Sequence, residues 1–420
     1  MNRLLNTWNQ QGARLISLGD QALVSGTNFL LGIALVRSLG LDGYGRYVLL
    51  WMGVQVASSF LQALVVAPLQ HLWPVQPVSE SKKGLQILDG QAVLLALLGG
   101  ILCAVLGWWI NLPPALCGAT AIAYLLHDYY RKRAFAQQRP QRAFLLDATA
   151  TGIVLGGLGY FTAQNDFQLY QVCYFLVLAY SIPLLPTLLG PLHWISPKVV
   201  LEEMWAQRQY TGWLAGTALL QWFSGNFFLI AAGTVLGPAA LGALRMAQQL
   251  VGLLHVLFLA FKNQIPAPAA KVLESDGRHG LMHFMLKASR MLWLGCGAFL
   301  LLLFLAAPQI LTLVFGTEHT GYANLLRGYC AIYVLVALGT PLRITLRALQ
   351  QTKILFIGYV MNALLGFMLA TPIVTAFGTT GVLLGLAGSQ ILLLTAYCWP
   401  LRHQLGQHLT SHAYRSHSSR

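Results

Sequence analysis

The sequence predicts an all-α integral membrane protein with about twelve transmembrane helices, in two six-helix bundles related by a pseudo-two-fold axis along the membrane normal. Of its 420 residues, 56% are hydrophobic and only 9% are charged, whereas roughly a quarter of the residues in soluble domains are charged. The apolar residues form runs of about 20, which is the length of one helical bilayer crossing. The two halves of the chain also share sequence features in the same order.

Apolar runs bounded by charged residues, proline or glycine give the individual helices. The predicted spans are 14–38, 43–66, 87–110, 114–135, 142–162, 168–190, 209–235, 239–264, 286–310, 323–347, 353–376 and 380–400. The predicted domains are an N-terminal segment over 1–13, a first lobe over 14–190, a linker over 191–208, a second lobe over 209–400 and a tail over 401–420.

The basic residues orient these helices. The chain carries 26 Lys and Arg against 12 Asp and Glu, a net charge of +14. Of the 26 basic residues, 22 lie at the termini or in alternate loops, all on one predicted side of the membrane. Because basic loops stay in the cytoplasm, both termini are expected to be cytoplasmic. The position of the basic residues therefore explains the net charge without a nucleic-acid partner.

An internal repeat underlies the two-lobe prediction. Three matched pairs preserve the same six-helix register: Gly26–Leu31 with Ser224–Leu229, Leu39-Gly40 with Leu236-Gly237, and Arg133–Gln138 with Arg347–Gln351. Because each half has an even number of helices, both halves cross the membrane in the same orientation. Two such bundles with a cleft between them are typical of alternating-access transporters.

Polar residues concentrate in the first, second, seventh and eighth predicted helices. We interpret Asn28, Gln55, Asn226 and Gln248 as lining a hydrated cleft, because polar side chains in a membrane usually face a cavity or another helix. The alternative is that these amides only join neighbouring helices.

Three arginines at or inside the predicted outer ends of helices are candidate substrate-binding residues. Arg245 lies about 9 Å inside the eighth helix, and Arg37 and Arg46 flank Asp42 in the first outer loop. Guanidinium groups bind phosphate oxygens in a bidentate manner. The alternatives are snorkelling to the outer headgroups or a local pair between Arg37 and Asp42.

Asp20, inside the first helix, is a candidate for binding a coupling cation or proton, and equally for a polar contact with Gln21 or Asn28. Three other aspartates near cytoplasmic helix ends are expected to form ordinary ion pairs with nearby Lys83, Arg131 and Arg142: Asp89, Asp128 and Asp147. The six cysteines lie in predicted spans without a CxxC motif. Neither a metal site nor a cofactor is expected.

Three segments carry a resemblance to a known family: Asp20–Phe29, the Arg37–Tyr47 turn and Tyr129–Gln137. The sequence resembles the polysaccharide transporter family of the multidrug, oligosaccharidyl-lipid and polysaccharide exporter superfamily, which includes O-antigen and exopolysaccharide flippases. The resemblance implies twelve helices and a cleft formed by the first, second, seventh and eighth of them. It also implies a bacterial inner-membrane protein whose substrate is a polyprenyl-pyrophosphate-linked oligosaccharide, with a polysaccharide polymerase and glycosyltransferases as partners.

The expected function is therefore a flippase rather than an enzyme. One alternative is a cation-coupled multidrug antiporter of the same superfamily that uses Asp20. Another is a membrane-embedded enzyme of the polysaccharide pathway, although the short outer loops offer no converging catalytic residues. The sequence has no P-loop and no HExxH motif, so neither ATP-driven transport nor a metalloenzyme is indicated.

Overall fold

The computed structural model of the chain describes residues 2–72, 78–163, 167–188 and 196–417. Every regular element within these residues is helical. Contacts between Cα atoms divide the chain into two compact units, Met1–Trp222 and Phe223–Arg420. Of the predicted linker and terminal segments, residues 1, 191–195 and 418–420 lie outside the described residues.

The first unit contains the first eight α-helices of the described residues. They are α1 (Asn2–Leu61), α2 (Ala67–Leu72), α3 (Val78–Trp109), α4 (Pro114–Ala136), α5 (Pro140–Ala163), α6 (Leu169–Ser181), α7 (Leu185–Leu188) and α8 (Pro197–Ala206). A π-helical turn, Gln62–Val66, follows α1, and a 3-10 turn, Ile182–Leu184, follows α6. Helix α9 (Arg208–Ala231) begins in the first unit and continues into the second.

The second unit continues with a π-helical turn, Ala232–Leu236. Its α-helices are α10 (Pro238–Gly252), α11 (His255–Gln264), α12 (Pro266–Leu305), α13 (Ala307–Phe315), α14 (Ala323–Ala348) and α15 (Thr352–His417). A 3-10 turn, Thr317–Tyr322, precedes α14.

Glycines break three of the long helices. Gly40 in α1, Gly277 in α12 and Gly378 in α15 have φ values of 66°, 66° and 58°, each with an extended ψ. Only glycine adopts this combination without strain, because it has no Cβ. The breaks at Gly40 and Gly378 divide α1 and α15 into two spans each, as the apolar runs predict.

The number of candidate membrane spans agrees with the predicted twelve once the long helices are divided. Eight helical segments of the described residues are long and apolar enough to cross a membrane. Three of these segments combine two predicted spans or parts of them, namely Gly19–Gln70, His255–Leu305 and Thr352–Cys398. Helix α4 is not among the eight, because four charged residues lie in its last turns. With α4 included and the three long segments divided, the described residues contain twelve candidate spans, the eighth of which consists of α10 and α11.

The structure differs from the predicted spans in two places. The eighth span, predicted as continuous over 239–264, is interrupted between the end of α10 at Gly252 and the start of α11 at His255. The predicted ninth span, 286–310, ends earlier, at Leu305, because α13 begins at Ala307.

The predicted repeat is visible in the backbone. Gly40 has φ 66° and ψ −176°, and its matched residue Gly237 has φ 91° and ψ 170°. Each glycine lies directly before the next membrane span. The matched Leu-Gly pairs therefore make the same kind of turn in both halves.

The ends of α4 and α14 also correspond, but in a register different from the predicted one. Gln138 after α4 and Gln350 after α14 both have a positive φ, 57° and 58°. The amide that follows each glutamine donates a hydrogen bond to the carbonyl five residues earlier, at 2.9 and 2.8 Å. Aligning these two ends pairs Arg343, not Arg347, with an arginine of α4, namely Arg131. The pairing of Arg133 with Arg347 inferred from the sequence is therefore shifted by two residues.

Small residues bring α3 and α4 into close contact. A Cβ atom added to Gly100 would lie 2.6 Å from a carbon of Ile122 and 3.2 Å from the carbonyl oxygen of Gly118. Close backbone approach of this kind is a common way for membrane helices to associate. The fully buried Leu125 and Tyr129 anchor α4 in the core of the first unit. Helix α4 is thus firmly held where it carries the charged residues described below.

Substituting Gly40 by alanine should destabilise the protein by about 1–3 kcal/mol, because alanine is strained in this backbone conformation. The measurement is the thermal unfolding midpoint of the purified protein in detergent. Gly152→Ala is the matched control, since Gly152 lies in α5 and a Cβ there meets nothing within 4 Å. Equal unfolding midpoints for the two variants would contradict the role assigned to Gly40.

Candidate functional site

A cluster of buried charges joins α1, α4 and α5 in the first unit. Arg131 of α4 is at its centre, with a side chain that is 20% exposed. Its Nε lies 2.6 Å from Oδ2 of Asp147, its Nη2 lies 3.3 Å from Oδ2 of Asp20, and its Nη1 lies 3.8 Å from Oδ1 of Asp128. All three aspartates are buried. One guanidinium can serve several carboxylates, because its five N–H groups point outward in one plane.

The charges of this cluster do not balance. Lys132 lies 2.7 Å from Asp128, so two cations face three carboxylates when all of them are ionised. An excess negative charge in a membrane span is costly. One oxygen of Asp20 is moreover buried without a hydrogen-bond partner among the described residues. The arrangement is chemically suited to binding a proton or a small cation at Asp20.

Asp128 lies 3.8 Å from its expected partner Arg131, but the partners of the other aspartates differ from the expected ones. Asp20 pairs with Arg131 and not with Gln21 or Asn28. Asp147 also pairs with Arg131, whereas the expected partner Arg142 donates a hydrogen bond to Thr187.

Asp89 is separate from this cluster and forms an ordinary ion pair, as expected, although its partner is not Lys83. Both of its oxygens lie 2.7 Å from Nη1 of Arg133, and the hydroxyl of Tyr129 donates to it at 2.7 Å.

A polar cavity of about 50 Å³ opens beside Arg131. Such a volume holds a few water molecules. The polar residues of its wall come from α1, α4, α5 and α6, and are Thr27, Asn28, Tyr124, His127, Asp128, Arg131, Asp147, Thr151 and Tyr180. Of the residues predicted to bind substrate, Asn28 is therefore adjacent to the charge cluster.

The other predicted residues of the first unit lie apart from this cavity. Arg46 pairs with Asp42 at 2.9 Å, and the two side chains are 36% and 53% exposed. Asp42 thus has Arg46 as a local partner, and the alternative pair between Arg37 and Asp42 stays a prediction. Arg37 is exposed in α1, about 13 Å along the helix from Asn28. Gln55 is also exposed, and none of the three lines the cavity.

Three predicted residues come together in the second unit. Arg245 of α10 donates from Nη1 to Gln248 and from Nη2 to Asn226 of α9, both at 2.9 Å. No carboxylate lies within ion-pair distance of Arg245 among the described residues. Its buried Nε has no hydrogen-bond partner there either, nor does the buried hydroxyl of Tyr329, which interacts electrostatically with Arg245. Arg245 thus combines a positive charge with unused donors, which suits an anionic ligand.

Sequence reasoning did not identify Arg131, His127, Tyr124 or Tyr180 as site residues. The signal available was electrostatic: Asp20 in an apolar span needs a partner. The segment around Arg131 is the most highly charged part of any predicted span in the first half.

Neither a family model nor a curated protein matches this sequence. Solved structures do match. An inward-facing multidrug resistance transporter of the MATE family, MOP superfamily, aligns with a TM-score of 0.72 at 15% identity over 93% of this chain and 96% of its own. The lipid II flippase MurJ in an inward closed conformation aligns with a TM-score of 0.72 at 11% identity over 92% and 87%. The fold is that of the MOP-superfamily transporters.

This fold has twelve helices in two lobes, which confirms the predicted fold class. A third match is a MOP-superfamily transporter from Pyrococcus furiosus, with a TM-score of 0.56 at 15% identity over 93% of each chain. The chain is accordingly a multi-pass membrane protein.

Proposed function

We propose that the chain is a flippase that moves a polyprenyl-pyrophosphate-linked oligosaccharide, or a related exopolysaccharide unit, to the outer leaflet of a bacterial inner membrane. Transport proceeds by alternating access between the two lobes. The observation that carries the proposal is Arg245, a cation inside the predicted eighth span without a counterion among the described residues. A charge in such a position usually marks a substrate pathway. MurJ, a lipid II flippase, shares the fold.

In this proposal, arginines bind the anionic part of the substrate and amide side chains bind its sugars. Arg245 binds the pyrophosphate through its free donors, while Asn226 and Gln248 hold the guanidinium in place. Asn28 and Gln55 offer amides to the sugars, and Arg37 and Arg46 contact the headgroup as it leaves. With the cytoplasm negative, each negative charge moved outward gains about 2.3 kcal/mol per 100 mV.

The cluster around Arg131 is the coupling element of this proposal. A proton or cation that binds Asp20 weakens the ion pair between Asp20 and Arg131. That pair links α1 to α4, whereas Arg131 keeps its shorter contact with Asp147. Cation binding therefore frees α1 from α4 first. This is a mechanism by which cation binding could be coupled to alternating access.

Deleting the gene should cause the lipid-linked intermediate to accumulate in the cytoplasmic leaflet. The strain must lack a redundant flippase, and the measurement is the accessibility of the intermediate to an impermeant glycosidase or label in membrane vesicles of known orientation. An intermediate distributed as in the parent strain would refute the proposal. A polysaccharide polymerase and glycosyltransferases of the same pathway are the proposed partners.

A cation-coupled multidrug antiporter is the second candidate, and the Asp20 cluster together with the MATE structures favours it. The two candidates place different demands on the residues. Export of a cationic amphiphile would require Asp20 and tolerate Arg245→Ala, whereas the flippase requires Arg245. Resistance assays with the two variants therefore distinguish the candidates.

A further inference from the structure

The two repeats hold an arginine at the same place in different electrostatic surroundings. The matching helix ends pair Arg131 of α4 with Arg343 of α14. Each lies five residues, or about one and a half turns, before the end of its helix. Arg131 contacts three carboxylates, whereas Arg343 has no ion-pair partner among the described residues.

The same alignment shows why Arg343 lacks these partners. Each carboxylate around Arg131 is replaced in the second repeat by an uncharged residue: Thr340 stands for Asp128, Tyr359 for Asp147, and Thr217 or Ala218 for Asp20. Arg343 still contacts the residues at two of these positions, although they carry no charge. Arg343 donates to the hydroxyl of Thr340 at 3.1 Å and interacts with Tyr359. The second repeat thus keeps the arginine and its surroundings but has lost every counterion.

Further positive charge lies beside Arg343. Arg347 follows one turn later on α14, and Lys262 in the last turn of α11 interacts electrostatically with both arginines. No Asp or Glu pairs with any of the three within the part of the chain that the structure describes. Three cations on two neighbouring helices, of which Lys262 and Arg347 are exposed and Arg343 is half-buried, therefore lack a counterion among the described residues.

A hydrogen-bond donor completes the group. Tyr397 of α15 is fully buried, and its hydroxyl has no partner among the described residues. It interacts electrostatically with Arg343 and Arg347. Gly358 leaves room for it, since a Cβ there would lie 2.9 Å from this hydroxyl. The hydroxyl and the three cations together offer donors and charge to a single anion.

We infer that Lys262, Arg343, Arg347 and Tyr397 form a binding site for a phosphate or pyrophosphate group, distinct from Arg245. Guanidinium and ammonium groups are the usual ligands of phosphate oxygens. The basic residues predict that this end of the second unit faces the cytoplasm. If the chain is the proposed flippase, the site captures the pyrophosphate of the lipid-linked substrate before it reaches Arg245. Only this transport role, and not the site itself, rests on the proposed function.

The test measures ligand binding to the purified full-length protein in detergent, with Arg245→Ala as the background so that the other arginine does not contribute. Farnesyl pyrophosphate and inorganic pyrophosphate are the probes, and calorimetry or a thermal-shift titration gives the affinity. Arg343→Gln and Lys262→Gln should each weaken binding about tenfold or more. Thr340→Asp, which restores the carboxylate found at Asp128, should abolish binding while the protein stays folded. Lys271→Gln, an exposed cation of α12, is the matched control and should change nothing.

Each outcome decides the inference. Tighter binding of farnesyl pyrophosphate than of inorganic pyrophosphate supports a lipid-linked ligand, and equal binding supports the same site with a free anion as its ligand. Unchanged affinity in both Arg343→Gln and Thr340→Asp, or no binding in the Arg245→Ala background, overturns it. Because the assay needs no transport, it can succeed even where the gene deletion shows that the proposed flippase function is wrong.

Discussion

Replacing Arg245 by alanine should remove most of the transport of the lipid-linked substrate and leave the protein folded. A hydrogen bond to a charged group contributes about 1.5–3 kcal/mol, so losing the contact to pyrophosphate should slow transport about 10- to 150-fold. Stability changes little, because the residues that Arg245 contacts are neutral amides. The measurement is polysaccharide production or leaflet accessibility of the intermediate in a complemented deletion strain.

Two variants control this experiment. Arg245→Lys keeps the charge but cannot bind phosphate in a bidentate manner, so its activity should be intermediate. Arg327→Ala removes a half-buried arginine of α14, which donates to Asn324 and to the carbonyl of Phe304 and lies over the Phe304 ring, and should leave transport unchanged. Full transport by Arg245→Ala at normal expression would refute the role given to Arg245.

Replacing Arg131 by alanine should have the largest effect on stability of any substitution considered. It leaves Asp20 and Asp147 buried without their cation. Removing one partner of a buried ion pair costs about 3–5 kcal/mol, a large fraction of the stability of most proteins. We expect low expression and a strongly reduced unfolding midpoint in detergent.

Arg133→Ala is the matched control, since Arg133 lies in the same helix but pairs with Asp89, and both side chains are about a quarter exposed. Loss of the Arg133 side chain should lower the free energy of unfolding much less than loss of Arg131. Adding Asp147→Asn to Arg131→Ala removes one of the two uncompensated charges and should recover part of the stability. If Arg131→Ala unfolds at the same temperature as Arg133→Ala, the cluster does not stabilise the first unit.

The course of the helices was predictable because its signals are local. The fourth span was predicted over 114–135 and is Pro114–Ala136, and the tenth was predicted over 323–347 and is Ala323–Ala348. Proline and the edge of an apolar run mark such ends directly in the sequence. The interruption between α10 and α11 has no proline to mark it, so composition alone did not reveal it.

The contacts within the site were less predictable because they join distant parts of the chain. Asp20 and Arg131 are 111 residues apart, and hydropathy does not show which helices are neighbours. Local pairs follow more directly from the sequence: Asp42 pairs with Arg46, which lies one turn later in the same helix. Arg245, Asn226 and Gln248 contact one another, because their two helices adjoin in the chain.

The close glycine contacts between α3 and α4 have a practical value for spectroscopy. Because the backbones of the two helices lie so close at Gly100 and Gly118, we expect their separation to stay fixed. A pair of spin labels or fluorophores on the lipid-facing sides of α3 and α4 thus provides an internal distance standard. A change in the distance between labels on α4 and α1 can then be compared with the distance between the labels on α3 and α4. This comparison separates displacement of the helices from motion of the labels.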